Sequence, residues 1–146
     1  MSTPPELHEI TFRIYPTDCD MLGHVNHARM LVLLERARWA LLERQIKPRQ
    51  MLLAPVFPVI RQVNIGYHAQ AFPGDVLLIQ SGIVKVGNTS YTIRQHARKH
   101  DTHELVADAD IVVVALNREG TPVKVPREWL DAMPGWTPDT NPVRSD

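Results

Sequence analysis

The sequence predicts an α+β domain in which an antiparallel sheet wraps around one long apolar helix. Two observations support this fold class. Residues 27–44 contain neither glycine nor proline and are rich in strong helix formers. From Pro58 onward, apolar and polar residues alternate through four segments that are separated by short turns. Hairpin-linked strands form a curling antiparallel sheet, and an apolar helix must be covered by that sheet.

A first strand and a polar loop precede the predicted helix. Residues 7–14 alternate apolar and polar side chains with one slip near His8, and Pro16 ends the strand because proline cannot donate a hydrogen bond to a neighbouring strand. A polar loop follows over residues 17–26. Asn26 is a suitable N-cap, since its side chain can accept a hydrogen bond from a free N–H of the first turn.

The predicted helix is apolar on nearly every side of its first two turns, at positions 28 and 30–34. Such a pattern is typical of a helix that is buried on most sides. Pro48 is expected to close the helical segment.

The remaining elements follow from the period of two and from turn residues. In the first of these strands, residues 59, 61, 63, 65 and 67 are expected on one face and residues 60, 62, 64 and 66 on the other. Further strands are predicted at 76–86, 89–100 and 105–116, and a short helix at 126–132. Residues 134–146 are rich in Pro, Asp and Thr, so we expect a domain over 1–133 and a flexible tail over 134–146.

Composition narrows the class of protein. The 146 residues fit one domain. Lys+Arg and Asp+Glu both number 16, which argues against a nucleic-acid-binding protein. A single cysteine, Cys19, cannot build a disulfide framework or a multi-thiolate zinc site. No signal-peptide pattern or membrane-length apolar stretch is visible, so we expect a cytoplasmic protein without a membrane partner.

One loop and the helix after it resemble a known signature. The stretch Thr-Asp-Cys-Asp-Met-Leu-Gly-His-Val-Asn-His-Ala at 17–28, followed by Glu-Arg-Ala-Arg at 35–38, resembles 4-hydroxybenzoyl-CoA thioesterases and related acyl-CoA thioesterases. Pro-Gly-Asp at 73–75, Gly-Asn-Thr-Ser at 87–90 and the segment 120–126 extend the resemblance. It implies the hotdog fold, cofactor-free hydrolysis of an acyl-CoA substrate, and a homodimer or homotetramer with active sites between subunits.

The resemblance also implies roles for individual residues. Asp20 matches the catalytic carboxylate, and His27 matches the position whose backbone N–H binds the thioester carbonyl. The family usually has Asn or Tyr at position 27, and Tyr where Met30 stands. Substrate contacts are expected from Gly23, His24, Val25 and Asn26, and from Arg61 and Arg94 toward the phosphates of coenzyme A.

Asp20 suits this chemistry because it lies just before a helix. The N-terminus of a helix carries free N–H groups and a partial positive charge, which stabilise a carboxylate and a developing oxyanion. Asp20 can therefore act as a nucleophile that forms a mixed anhydride, or as a general base for water. The alternative is that Asp20 merely closes an Asx turn.

Other readings of the same region remain open. Asp18 fits a structural role in the loop. His24 is expected most often to tie down the loop through hydrogen bonds. It could also protonate the leaving thiol, pair with Cys19 as a nucleophile, or join His27 and the two aspartates around a metal ion. The acids beside Cys19 are expected to raise its pKa, which argues against the thiol nucleophile.

Two further alternatives concern the helix and the overall function. Glu35 is expected either to pair with Arg38 on the buried helix or to face the substrate pocket as a catalytic acid. A non-catalytic acyl-CoA-binding protein and a hotdog hydratase or dehydratase remain alternative functions, because fold does not fix function.

Overall fold

The computed structural model describes residues 8–136. Five strands, β1 (Glu9–Arg13), β2 (Val56–Tyr67), β3 (Val76–Val86), β4 (Ser90–Lys99) and β5 (Leu105–Asn117), form one antiparallel sheet in the order β1-β3-β4-β5-β2. The helices are α1 (His27–Leu42), α2 (Pro48–Leu53) and α3 (Arg127–Ala132). The predicted α+β hotdog fold is confirmed. No helix within residues 8–136 is long and apolar enough to cross a membrane.

Helix α1 packs one stripe of its surface against the sheet. The buried residues recur every three or four positions, as one face of a helix requires. They are Met30, Leu33, Leu34, Ala37 and Leu41. The neighbouring Leu31 and Val32 are each 37% exposed. The prediction of a helix buried on most sides is therefore wrong for this subunit, because the sheet covers only one of its faces.

A buried amide joins α1 to the sheet. The Gln95 side chain on β4 is fully buried, and its Nε2 donates to the carbonyl oxygen of Leu34 at 2.9 Å and to Ser81 Oγ at 3.0 Å. A buried polar group costs free energy unless it is hydrogen-bonded, so these contacts fix the position of α1 on the sheet.

Strand β2 contains a bulge that the strict alternation did not predict. The register with β5 shifts between Ile60 and Gln62. Ile60 lies opposite Val113 and Val63 lies opposite Ile111, and both β5 residues are buried in the core. Directly opposed residues share a face, so the period of two predicted from 59 to 67 is wrong across the bulge.

A short C-terminal segment pairs with β3. The Ile83 N–H donates to Pro134 O at 3.0 Å, and the Trp136 N–H donates to Ile83 O at 2.8 Å. Gly82 permits this approach, since a Cβ there would lie 2.6 Å from the Trp136 Cα. The sequence placed residues 134–136 in the tail; they are instead paired with the sheet. The rest of that tail lies outside the described residues.

Candidate active site

The loop before α1 makes a tight reversal that presents Asp20. Cys19 and Val25 form an isolated antiparallel bridge. Within it, the Asp20 N–H donates to His24 O at 3.1 Å and the Gly23 N–H donates to Asp20 O at 3.0 Å. Gly23 has a φ of 87°, in the left-handed region that glycine occupies without strain. The glycine thus lets the chain turn back toward the helix.

The Asp20 carboxylate is oriented through both oxygens. Oδ1 accepts from the Leu22 N–H at 2.9 Å, and Oδ2 accepts from Asn26 Nδ2 at 3.4 Å. The first contact is an Asx turn, so Asp20 does shape the loop. The side chain is half-buried, and it also lines a cavity. A structural role and a chemical role are therefore compatible at this residue.

The first turn of α1 leaves the His27 N–H available, and His27 lines the same cavity as Asp20. Asn26 is the N-cap, as predicted, and its Oδ1 accepts from the Ala28 N–H at 2.8 Å. Within residues 8–136 the His27 N–H has no hydrogen-bond partner. The free donors at the helix N-terminus thus include the His27 N–H, while the Ala28 N–H is occupied by the cap.

Tyr67, at the end of β2, holds the same turn from the other side. Its Oη donates to His27 O at 2.7 Å, and the two rings meet edge to face with centroids 6.4 Å apart. The sequence predicted only that Tyr67 lies on one face of a strand, so this contact was missed. The signal available was the phenol itself, because a partly buried tyrosine hydroxyl usually has a hydrogen-bond partner.

These groups surround a cavity of about 420 Å³. The loop closes one side of it, and the loop is tied to the β2–β3 connection because the Val25 N–H donates to Ala71 O at 2.8 Å. The lining residues are Asp20, Leu22, His24, Val25, His27, Met30, Tyr67, His68, Ala69, Gln70, Ala71 and Val106. Four of the predicted site residues therefore line one cavity, and Gly23 and Asn26 shape the loop behind it.

The two predicted phosphate contacts lie elsewhere in the subunit. Arg61 is exposed at the β2 bulge. Arg94 pairs with Asp110 through two contacts, Nε to Oδ1 at 2.9 Å and Nη2 to Oδ2 at 3.1 Å. Neither arginine lines the cavity of Asp20 in this subunit.

The contacts of Asp18 and the surroundings of Cys19 favour structural roles over catalytic ones. Asp18 Oδ2 accepts from the Tyr15 N–H at 2.9 Å, and its Oδ1 lies 3.5 Å from Arg29 Nε, so its predicted structural role is confirmed. Burial, followed by the charges of Asp18 and Asp20, raises the pKa of the Cys19 thiol. A raised pKa keeps the thiol protonated, which disfavours a Cys19 nucleophile.

His24 lies on the cavity wall, and its Nδ1 is 3.3 Å from Val25 O. In the part of the chain that the structure describes, no three His, Cys, Asp or Glu side chains are grouped so that they could hold a metal ion.

The expected Glu35–Arg38 ion pair is absent from the described residues. Glu35 is exposed, and Arg38 Nη1 instead donates to Gln95 Oε1 at 2.9 Å. Burial lowers the pKa of Arg38, and the charge of Glu35 opposes that effect. Glu35 lines a second cavity that does not include Asp20. The prediction failed because the acceptor for Arg38 comes from β4, far away in sequence.

Comparisons with known proteins identify the family of the chain. Residues 14–133 match the family model of the thioesterase-like superfamily. The long-chain acyl-CoA thioesterase FadM of Escherichia coli K12 is 33% identical over 98 residues, which cover 67% of this chain and 74% of that protein. The acyl-CoA thioester hydrolase YbgC of Escherichia coli O6:H1 is 32% identical over 106 residues, covering 72% of this chain and 78% of that protein.

Solved structures show the same fold. The probable thioesterase YbaW from Escherichia coli superposes with a TM-score of 0.77 at 28% identity, covering 86% of this chain and 98% of that one. The 1,4-dihydroxy-2-naphthoyl-CoA thioesterase Slr0204 from Synechocystis gives a TM-score of 0.79 at 19% identity, covering 86% and 93%. With the family model and the two relatives, these likenesses show that the chain belongs to the thioesterase-like superfamily and is a hotdog-fold thioester hydrolase.

Proposed function

We propose that this protein hydrolyses acyl-CoA thioesters, with Asp20 as the reacting carboxylate and the His27 N–H as an oxyanion donor. One observation carries the proposal: Asp20 and His27 line the same cavity, at the positive end of α1. Thioester hydrolysis needs a group that attacks the carbonyl or activates water, and a donor for the oxygen that becomes negative. Both requirements are met here by one loop and one helix terminus.

The reaction can follow either of two balanced routes. In the first, an Asp20 oxygen attacks the carbonyl carbon, the C–S bond breaks and coenzyme A leaves as the thiolate. Water then hydrolyses the mixed anhydride, which releases two protons, and one of them goes to the thiolate. In the second, Asp20 removes a proton from water, the resulting hydroxide attacks, and the proton passes to the sulfur. Single-turnover hydrolysis in ¹⁸O water tests for the first route, because label can enter the Asp20 carboxylate only when water attacks the Asp20 carbonyl of a mixed anhydride.

Leaving-group protonation is the role we propose for His24, which lines the cavity beside Asp20. An imidazolium N–H can donate a proton to the departing thiolate. His24→Gln is expected to lower kcat most for esters of poorly acidic thiols. Equal losses for acidic and poorly acidic thiol esters would assign His24 to loop structure alone.

A second copy of the chain is part of the proposal. Among residues 8–136, β2 is hydrogen-bonded on one side only, by β5, although it is 12 residues long. Its inner face carries Ile60, Val63 and Tyr67, which are 40%, 40% and 47% exposed. Long open edges with exposed apolar residues favour pairing with another chain. We infer a homodimer or homotetramer, which sedimentation velocity measures directly.

In an assembly of two copies, one subunit can contribute contacts to the coenzyme A that its neighbour binds. Arg61 lies on the open strand β2, and Arg94 lies on β4, so either could serve a neighbouring subunit. Arg61→Gln and Arg94→Gln are expected to raise KM for acyl-CoA but not for the matching acyl-pantetheine, which lacks the nucleotide phosphates. An equal effect on both substrates would exclude a phosphate contact.

The function itself is tested by thiol release from a panel of aromatic, short, medium and long acyl-CoA esters. Turnover of at least one ester is expected. Binding of the esters without thiol release from any of them would favour the non-catalytic alternative and refute hydrolysis.

A further inference from the structure

A second cavity lies between the C-terminal half of α1 and the inner face of the sheet, beside α3. It encloses about 100 Å³ and shares no lining residue with the cavity of Asp20. That volume exceeds the roughly 10–15 Å³ that one water molecule needs, so it admits a chain of several heavy atoms. Its wall is largely apolar, and includes Trp39, Leu42, Ile60, Ile93, Val113 and Trp129.

Two hydrogen-bonding side chains interrupt this apolar wall. Tyr91 is 6% exposed, and its Oη makes no hydrogen bond within residues 8–136. Arg38 has one hydrogen bond in the described part of the chain, from Nη1 to Gln95 Oε1, so its Nε and Nη2 groups are unused. Donors without a protein acceptor are free to bind water or a ligand atom. These donors can therefore bind an acceptor that enters the cavity.

The unused donors border open space and not packed protein. Within residues 8–136, His8 Nδ1 is the side-chain polar atom that is fully buried and has no hydrogen-bond partner. The unpartnered atoms of Tyr91 and Arg38 are therefore not fully enclosed by protein. Both side chains are lining residues of the cavity. An atom inside the cavity can therefore accept from them.

Glu35 at the rim indicates which acceptor fits. Its carboxylate also lines the cavity, and its charge acts on Arg38. Glu35 already balances the charge of Arg38, so a ligand carboxylate would bring an unbalanced negative charge into the cavity and would lose its hydration on entry. A neutral hydroxyl has two acceptor lone pairs for Arg38 and Tyr91 and one donor for Glu35.

We propose that this cavity binds an apolar group that ends in a hydroxyl, with Arg38 and Tyr91 as its donors. The group is either the far end of the substrate's acyl chain or a separate alcohol. Arg38 lies eleven positions after His27, which corresponds to about 16 Å along the helix axis. Only an extended acyl chain spans that distance from a thioester at the start of α1. This acyl source rests on the proposed function, whereas binding of an alcohol does not.

Equilibrium binding tests the pocket without any catalysis. Titration with 1-hexanol, 1-chlorohexane or hexanoate is followed by the fluorescence of Trp39 and Trp129, which line the cavity. Tyr91→Phe is expected to weaken 1-hexanol binding about 5-fold and to leave 1-chlorohexane binding unchanged. Tyr15→Phe, at a tyrosine that is 58% exposed, is the matched control and is expected to change neither.

Three results would overturn the proposal. They are the absence of saturable 1-hexanol binding, an equal effect of Tyr91→Phe on 1-hexanol and 1-chlorohexane, and tighter binding of hexanoate than of 1-hexanol. Thermal unfolding of each variant confirms that the comparison is made on folded protein.

Turnover then distinguishes the two sources of the hydroxyl. The readout is kcat/KM for 12-hydroxydodecanoyl-CoA divided by that for dodecanoyl-CoA. If the acyl chain supplies the hydroxyl, Tyr91→Phe lowers this ratio about 5-fold. An unchanged ratio with intact 1-hexanol binding assigns the pocket to a separate alcohol. Absence of hydrolysis with intact 1-hexanol binding would refute the proposed function and support the pocket.

Discussion

Asn26 has two separable tasks at the start of α1. Its Oδ1 caps the helix by accepting from the Ala28 N–H at 2.8 Å, and its Nδ2 donates to Asp20 Oδ2 at 3.4 Å. Asn26→Ser keeps an oxygen that can cap the helix but removes the amide donor. Asn26→Ala removes both. Stability should therefore distinguish the two variants, whereas the loss of activity should be similar in both.

The expected changes in stability and in kcat follow from these two contacts. Loss of the cap in Asn26→Ala should cost about 1 kcal/mol of unfolding free energy, and Ser caps nearly as well as Asn. For a chain of this size about 1 kcal/mol corresponds to a decrease in Tm of roughly 2–4 °C. Loss of the contact to Asp20 should lower kcat about 5-fold in both variants, as expected for one hydrogen bond.

Scanning calorimetry and thiol release measure the two effects separately. A Tm for Asn26→Ser as low as that of Asn26→Ala would contradict the capping role. Wild-type kcat in Asn26→Ser would show that the contact with Asp20 does not contribute to turnover.

Three further predictions concern the sheet and the site. Gly82→Ala would bring a Cβ to 2.6 Å from the Trp136 Cα, so it should destabilise the fold by about 1–3 kcal/mol and speed amide exchange at Ile83; unchanged exchange would refute the pairing. Burial raises the pKa of Tyr91 from 10.0 to about 12, so its contribution to stability is complete below pH 10 and is lost as the pH rises to 12, roughly 2–3 kcal/mol in total. Tyr91→Phe should abolish that part of the pH dependence of unfolding, and an identical alkaline slope would contradict the assignment. Tyr67→Phe removes the 2.7 Å hydrogen bond to His27 O and should lower kcat about 5-fold with little change in KM; a change in KM alone would indicate a binding role.

Local pattern was sufficient to predict most of the fold. The cap at Asn26 and the start of α1 at His27 depend on neighbouring residues, and both are as predicted. Helix α2 was missed because Pro48 was interpreted as the end of the helical segment, whereas it occupies the first turn of a new helix. Arg118 donates to the Leu52 and Ala54 carbonyls at the end of α2, and no local pattern shows a partner so far away in sequence.

The site, like the fold, has parts that local sequence predicts and parts that depend on distant contacts. Asp20, His24 and His27 lie within one short segment, so the motif was sufficient to predict that they lie together. The acceptor for Arg38 comes from Gln95 on β4, and that contact depends on how the helix lies on the sheet. The β2 bulge likewise depends on the pairing with β5. Contacts between distant segments are decided by packing, which periodicity alone does not encode.

The substitution Asp20→Asn tests the proposed chemistry most directly. The amide oxygen that it introduces would still accept from the Leu22 N–H, which the Asp20 carboxylate now binds at 2.9 Å, so the Asx turn should be kept while the longer contact with Asn26 Nδ2 is lost. Thiol release from the best acyl-CoA ester should fall by at least about 100-fold, as expected when a general base or nucleophile is lost. Folded Asp20→Asn protein with kcat close to that of the wild type would contradict the assignment of Asp20 as the reacting carboxylate.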